Sequence, residues 1–261
     1  MKTFNYHIAK DSKDASKLSS SSSAFLAGGM TSIPSMKLGL ATYKDIIDIK
    51  HIKKLSGIKV SSKSVTIGST TKHAEVAASK EVKKAIPSLA KLAGGIGDAQ
   101  VRNRGTIGGS IANNHPSACY PSACMALNVI IHTNDRKIEA SKFFKGMFET
   151  ALKKGELIEA VEFQIPEKSN YQKHPNPASR YAIVGVYLAK YKKEVNVAVT
   201  GAKSFVYIDK DLSKKLSSSF SVSAIDGMKL DSSEMNSDIH ASSEFRASLV
   251  VTYAKKAVEA C

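Results

Sequence analysis

The sequence predicts a protein that mixes β-strands and α-helices. Three observations carry that prediction. Short strand-like alternations recur between segments of helical period, one strand runs directly into a glycine pair and a helix, and a polar, proline-bearing stretch after residue 165 separates one such region from a second. At 261 residues the chain is long enough for one large or two modest domains with a buried core.

The elements follow in order. Thr3–Ile8 alternates as a strand, and the polar segment Asp11–Ser22 reads as a surface helix. AFLAGG is a short apolar strand ending in Gly28 and Gly29. Thr31 then suits an N-cap, Pro34 is tolerated in the first turn and Gly39 closes the helix. Asp45–Ile49 and Val65–Gly68 read as buried strands, Thr71–Ser79 and Pro87–Ala93 as helices. After a glycine-dense stretch, Pro116, Pro121 and the apolar run Ala123–Ile131 predict a short helix feeding a strand. Leu157–Ile165 alternates as a strand ended by Pro166, and the polar segment with Pro175 and Pro177 marks a boundary. Ile183–Ala189 and Val195–Val199 pair as antiparallel strands through Lys192–Glu194, and Ser242–Ala260 has a helical period.

Charge and cysteines bound the function. Lys and Arg number 38 against 23 acidic residues, a net +15. The lysines are spread along the chain, the arginines are only Arg102, Arg104, Arg136, Arg180 and Arg246, and no aromatics interleave with them. A solvated basic surface is therefore favoured over nucleic-acid binding. No apolar run reaches the roughly 18–20 residues that span a bilayer, and the N-terminal segment has no apolar signal-like core. Cys119, Cys124 and Cys261 make no disulfide framework and cannot alone hold a four-cysteine cluster. These features lead us to expect a cytoplasmic protein with no metal site of its own.

The candidate chemistry lies in two glycine segments. In Ala27-Gly28-Gly29-Met30-Thr31 the paired glycines allow successive N–H groups to face one concavity, a nest for a phosphate oxygen. Thr106-Ile107-Gly108-Gly109-Ser110 repeats the recipe with hydroxyls on both flanks. Two such loops suit a diphosphate. The G-x-G-x-x-G dinucleotide pattern and the P-loop pattern are both absent.

AGGMTSIPSMKLGL followed by QVRNRGTIGGSIANNHPSACYP resembles the FAD-binding subunit of the molybdenum hydroxylases, the family of the carbon monoxide dehydrogenase medium chain and the xanthine dehydrogenase flavin subunit. DIIDI at 45–49, the strand ending Gln164-Ile165-Pro166, NPASRYAIVGVYLAK at 176–190 and IHASSEFRASLVVTYAKKAV at 239–258 extend the resemblance over nearly the whole chain. It implies an α/β fold: a vanillyl-alcohol-oxidase-like (PCMH-type) FAD-binding domain over residues 1–170, in subdomains of about 1–57 and 58–170, and a small C-terminal α+β domain over 171–261. Carried over by position, Ala27, Gly28, Gly29, Met30 and Thr31 wrap the FAD pyrophosphate with Ser32 close by. Thr106, Ile107, Gly108, Gly109 and Ser110 bind the diphosphate and ribityl region from the other side. Ile96 lies against the flavin or its adenine, and Lys173 reaches the cofactor near the domain junction.

One departure stands out. The family usually reads D-P-A-A-D-Y-P after the second segment, whereas this chain has His115-Pro116-Ser117-Ala118-Cys119-Tyr120-Pro121. A thiol is a poor substitute for an acceptor carboxylate, so either FAD binding is weaker or Ser117, Asn113 or Asn114 takes the contact. His115 is either a cofactor ligand or a loop residue, Arg102 and Arg104 either face the diphosphate or brace the loop, and Tyr120 fits a core position better than a flavin contact.

No acid–base pair or nucleophile stands out. The resemblance implies an electron-transfer flavoprotein subunit of an oxidoreductase, whose partners are a large molybdopterin subunit and a small subunit with two [2Fe–2S] clusters. The expected assembly is a heterohexamer, a dimer of three-chain units, reaching a membrane only through the complex. The alternatives are a self-contained flavin oxidase or reductase of the same fold, and a polyanion-binding protein. Carbon monoxide, a purine and an aromatic or aldehyde substrate all stay open.

Overall fold

The computed structural model describes residues 1–261. Its first three strands, β1 (Asn5–Ile8), β2 (Ser23–Leu26) and β3 (Asp45–Asp48), form a parallel sheet in the order β1-β3-β2. The Ser12–Leu18 and Ser32–Lys37 helices make the crossovers. The first is shorter than its polar segment: Asp11 caps it by accepting from the Asp14 N–H, and Ser19 is already extended. Central β3 carries Ile46 and Ile47 into the interior, which explains the apolar middle of an otherwise acidic strand.

The second sheet contains β4 (Ile58–Val60), β5 (Ser64–Gly68), β6 (Ile130–Thr133) and β7 (Lys137–Glu139). A small ribbon of β8 (Phe144–Gly146) and β9 (Glu149–Thr150) then precedes β10 (Ile158–Gln164), and the sheet order is β4-β5-β10-β6-β7, antiparallel throughout. Between β5 and β6 the chain makes six helices, His73–Ala78, Lys80–Ala85, Pro87–Gly94, Ala99–Arg104, Ile107–Asn113 and Tyr120–Ala126. Val65, Ile67, Val161 and Phe163 of the sheet meet Leu89, Leu92, Ile107, Ile111 and Tyr120 of these helices in the largest core.

The third sheet is antiparallel, β11 (Lys168–Pro175), β12 (Ala182–Lys190), β13 (Val195–Thr200) and β14 (Tyr207–Ile208) in that order. The sequence suggested only a polar boundary segment where β11 lies. An edge strand tolerates polar side chains and a terminal proline, which hid it. β12 is buried almost from end to end because it separates two cores. Side chains alternate across a strand, so Tyr187 and Ala189 join the large core while Val184, Val186 and Leu188 face a second one. The Ser243–Glu259 helix, capped by the Ser242 hydroxyl, closes that second core with Val250, Ala254 and Ala257. No helix is long and apolar enough to cross a membrane.

Candidate functional site

A cleft of about 540 Å³ opens where the three sheets meet, a size within the roughly 300–1,000 Å³ of small-molecule sites. One wall is the turn from β2 into the Ser32–Lys37 helix, and another is the start of the Ala99–Arg104 and Ile107–Asn113 helices. Leu157 and Ile158 lie at its floor, and Ser179, Arg180 and Tyr181 reach over from the loop between β11 and β12.

The first glycine turn is chemically open. The N–H groups from Ala27 to Ser32 find no acceptor within the chain. Gly29 has φ +73°, a conformation L side chains rarely adopt, and this turns the chain between strand and helix. Thr31 makes no capping bond, contrary to expectation, and the Ser32 N–H that opens the helix stays uncommitted, while Ile33 donates to Gly29 O and Ser35 to Thr31 O. A run of free backbone donors at a helix start is an anion site.

The second glycine segment is not a loop. It is the first turn of the Ile107–Asn113 helix, and its N–H groups are already used. Ile107 donates to Thr71 O, Gly108 to Ser69 O and Ser110 to Thr106 O, while the Thr106 hydroxyl caps the helix by accepting from Gly109. This turn contributes bare glycine surface and the Ser110 side chain to the cleft, not a second nest.

Glu156 is the single carboxylate among the lining residues. Burial pushes its pKa up, but hydrogen bonds from Arg136, the Lys153 N–H and Thr133 outweigh that and hold it at about 2. Arg136 grips it with Nε at 2.9 Å and a second guanidinium nitrogen at 3.1 Å, so its charge is compensated. His73 lies beneath the cleft at 4% exposure. Burial, and then the Arg102 charge, lower its pKa to about 4, and its Nδ1 has no partner. On the far wall the His115 and Tyr181 rings stack at 4.5 Å, with Phe148 edge-on to His115. Burial lowers the pKa of His115 and keeps the imidazole neutral.

Residues 2–167 match the family model described as "FAD binding domain in molybdopterin dehydrogenase". The chain belongs to that family. It is 37% identical over 170 residues to the glyceraldehyde dehydrogenase medium chain of Sulfolobus acidocaldarius, covering 63% of this chain and 60% of that one. It is 38% identical over 170 residues to the carbon monoxide dehydrogenase medium chain of Hydrogenophaga pseudoflava, covering 62% and 58%. The matched part is therefore about three fifths of the length of these relatives. The fold superimposes on a chain of the reconstituted CO dehydrogenase from Oligotropha carboxidovorans with a TM-score of 0.90 at 26% identity, over 99% of this chain and 97% of that one. The molybdopterin-dehydrogenase resemblance and the α/β class expected from the sequence both hold.

As a member of the FAD-binding family, the chain offers residues that fit FAD. A diphosphate needs donors, and the Ala27–Ser32 turn supplies uncommitted ones beside a single, neutralised carboxylate. Of the positions expected to hold FAD, Ala27, Gly28, Gly29, Met30, Thr31, Ser32, Ile96, Thr106, Gly108, Gly109 and Ser110 line the cleft. Two do not. Ile107 is fully buried in the large core, because the helical turn points it away from the cleft. The Lys173 amine is spent on the carbonyls of Gly95 at 2.8 Å and Arg180 at 2.9 Å, so it braces the cleft rim.

The structure also places several of the residues that the sequence left open. Arg102 braces the loop, donating to Ile96 O and Gly97 O, and Tyr120 is a core residue. Asn114 is committed elsewhere, its Nδ2 donating to Gly146 O and Glu149 O, whereas Asn113 lines the cleft. Cys119 also lines it, with Sγ 3.7 Å from Lys173 Nζ. Sequence reasoning missed Ser69, His73, Glu156 and Arg180. Each comes from a segment whose local pattern reads as ordinary strand end, helix start or turn, and only the tertiary fold gathers them.

Proposed function

We propose that this chain is the electron-transfer flavin subunit of a molybdenum-containing hydroxylase. The observation that carries the reading is the turn of free donors at Ala27–Ser32, packed against the backbone of Arg104 and Gly105 and facing one cleft. Bound there, FAD supplies two-electron uptake and one- or two-electron release, and we assign it the step between [2Fe–2S] clusters on a partner chain and a final acceptor.

The chain's own residues bind and orient. Ala27–Ser32 fix the diphosphate by backbone donors, Thr31, Ser32 and Ser110 add hydroxyls, and Ile96 provides an apolar contact. Lys173 and Arg102 hold the Gly95–Gly97 turn that carries Ile96. The partners in this reading are a large molybdopterin subunit and a small [2Fe–2S] subunit, in a dimer of three-chain units. We also propose that the C-terminal unit begins at Lys168 rather than at 171, because all of β11 belongs to the third sheet.

The test mixes the FAD-loaded chain anaerobically with the reduced [2Fe–2S] chain that co-purifies with it. Bleaching of the flavin band supports the proposal. Turnover of carbon monoxide, purines or aldehydes by the isolated chain supports a self-contained flavoenzyme instead.

A further inference from the structure

The segment that carries His115 and Cys119 into the cleft belongs to the large helical unit, yet its own backbone is hung from the third sheet. Three consecutive carbonyls, those of Pro116, Ser117 and Ala118, all accept from that sheet. Gly201 N–H donates to Pro116 O at 2.9 Å and Ala182 N–H to Ser117 O at 3.2 Å. The Thr200 hydroxyl lies 2.6 Å from Pro116 O and 2.8 Å from Ala118 O, between the two. Thr200 is fully buried, so its hydroxyl has no water to turn to.

The socket is itself backed. Arg246, 3% exposed, donates from one terminal nitrogen to Ile183 O at 2.6 Å and to Gly201 O at 3.0 Å. Its other terminal nitrogen binds Asp238 at 2.7 Å. The strand ends that grip Pro116–Ala118 are thereby fixed to the Ser243–Glu259 helix, which contains Arg246. β12 also begins beside Tyr181, the ring that stacks on His115.

We propose that Thr200 is a positioning residue for the cleft. Its hydroxyl sets the height of the Pro116–Ala118 backbone, and so the places of His115 and Cys119 against the bound group. The physical reason is the count of donors. Pro116 O and Ser117 O each keep a backbone N–H, whereas Ala118 O has Thr200 as its only donor. Removing the hydroxyl strands a buried carbonyl next to Cys119. This inference deepens the flavin-subunit reading but rests on contacts within the chain, and its test does not require FAD to bind.

The experiment compares Thr200→Val with Thr200→Ser in a Cys261→Ser background, using the full chain. Cys124 is fully buried, so a thiol-reactive dye reports on Cys119. The inference expects Thr200→Val to stay folded by circular dichroism, to label Cys119 about tenfold faster without FAD, and to bind FAD about tenfold more weakly. Thr200→Ser restores both. Equal labelling rates for the wild type and Thr200→Val overturn it, and so does a Thr200→Ser variant as fast as Thr200→Val. If the wild type takes up no FAD, the flavin reading fails, while the labelling comparison still decides the role of Thr200.

Discussion

Gly28 packs against the backbone of Arg104: a Cβ built on Gly28 overlaps the Arg104 carbonyl oxygen. The two residues lie 76 positions apart, on the first glycine turn and at the end of the helix before the second. This contact joins the two halves of the cleft. A methyl group there must displace backbone on one side or the other, since no flexible side chain intervenes.

Gly28→Ala is therefore expected to cost about 1–3 kcal/mol by overpacking and to weaken FAD binding. Gly94→Ala is the matched control. Its Cβ meets nothing nearer than the Ala77 Cβ at 3.8 Å, and as the last residue of the Pro87–Gly94 helix it accepts alanine without overpacking. Thermal unfolding and FAD titration of both variants check the pair.

His73 predicts an acid limb of stability. It is neutral in the fold with a pKa of about 4, against 6.5 for the free side chain. The unfolded chain takes up the proton first, so the contribution is complete above about pH 6.5 and is lost as pH falls towards 4. Its span is of the order of 3 kcal/mol. The melting temperature should drop across that window, and His73→Phe should flatten the drop. An equal drop in the variant contradicts the assignment.

Glu156 acts lower on the scale. Its pKa of about 2, against 4.5, gives stability that is present above 4.5 and lost as pH falls towards 2. Glu156→Ala removes the carboxylate acceptor of Thr133 and Arg136, which keep only the carbonyls of Arg136 and Ala151. Because the Arg136 side chain is 37% exposed, the expected cost at pH 7 is about 2 kcal/mol, below that of a fully buried pair. Urea unfolding at pH 7 and at pH 3 measures it, and the difference between variant and wild type should shrink at the lower pH.

Lys173→Met removes the donor from Gly95 O and Arg180 O while keeping an aliphatic stem. We expect a small change in melting temperature, about 1 kcal/mol for the exposed bonds, and faster FAD release from a loosened Ile96 turn. Stopped-flow displacement of FAD measures the release, and an unchanged off-rate indicates that the amine braces nothing the cofactor feels.

Much of this architecture was legible because it is local. The strand at AFLAGG, the DIIDI strand, the Ala182–Lys190 and Val195–Thr200 hairpin and the last helix are marked by period, caps and turns. The first glycine turn was legible for the same reason. What escaped depended on tertiary partners. The Lys168–Pro175 strand looks polar because it is an edge. The Thr106–Ser110 glycines look like a nest until Ser69 and Thr71 are seen to take their N–H groups. Lys173 resembles a cofactor ligand by position, and only the fold shows it holding Gly95 and Arg180. No sequence pattern announces that Thr200 supports a loop more than 80 residues away.

The most direct test of the account is titration of the folded, flavin-free chain with FAD, followed by fluorescence quenching and the flavin band near ~450 nm. One FAD per wild-type chain is expected, and no retained flavin in a folded Gly28→Val variant. A folded wild-type chain that takes up no FAD at saturating concentration, or a Gly28→Val variant that binds it as tightly as the wild type, contradicts the account.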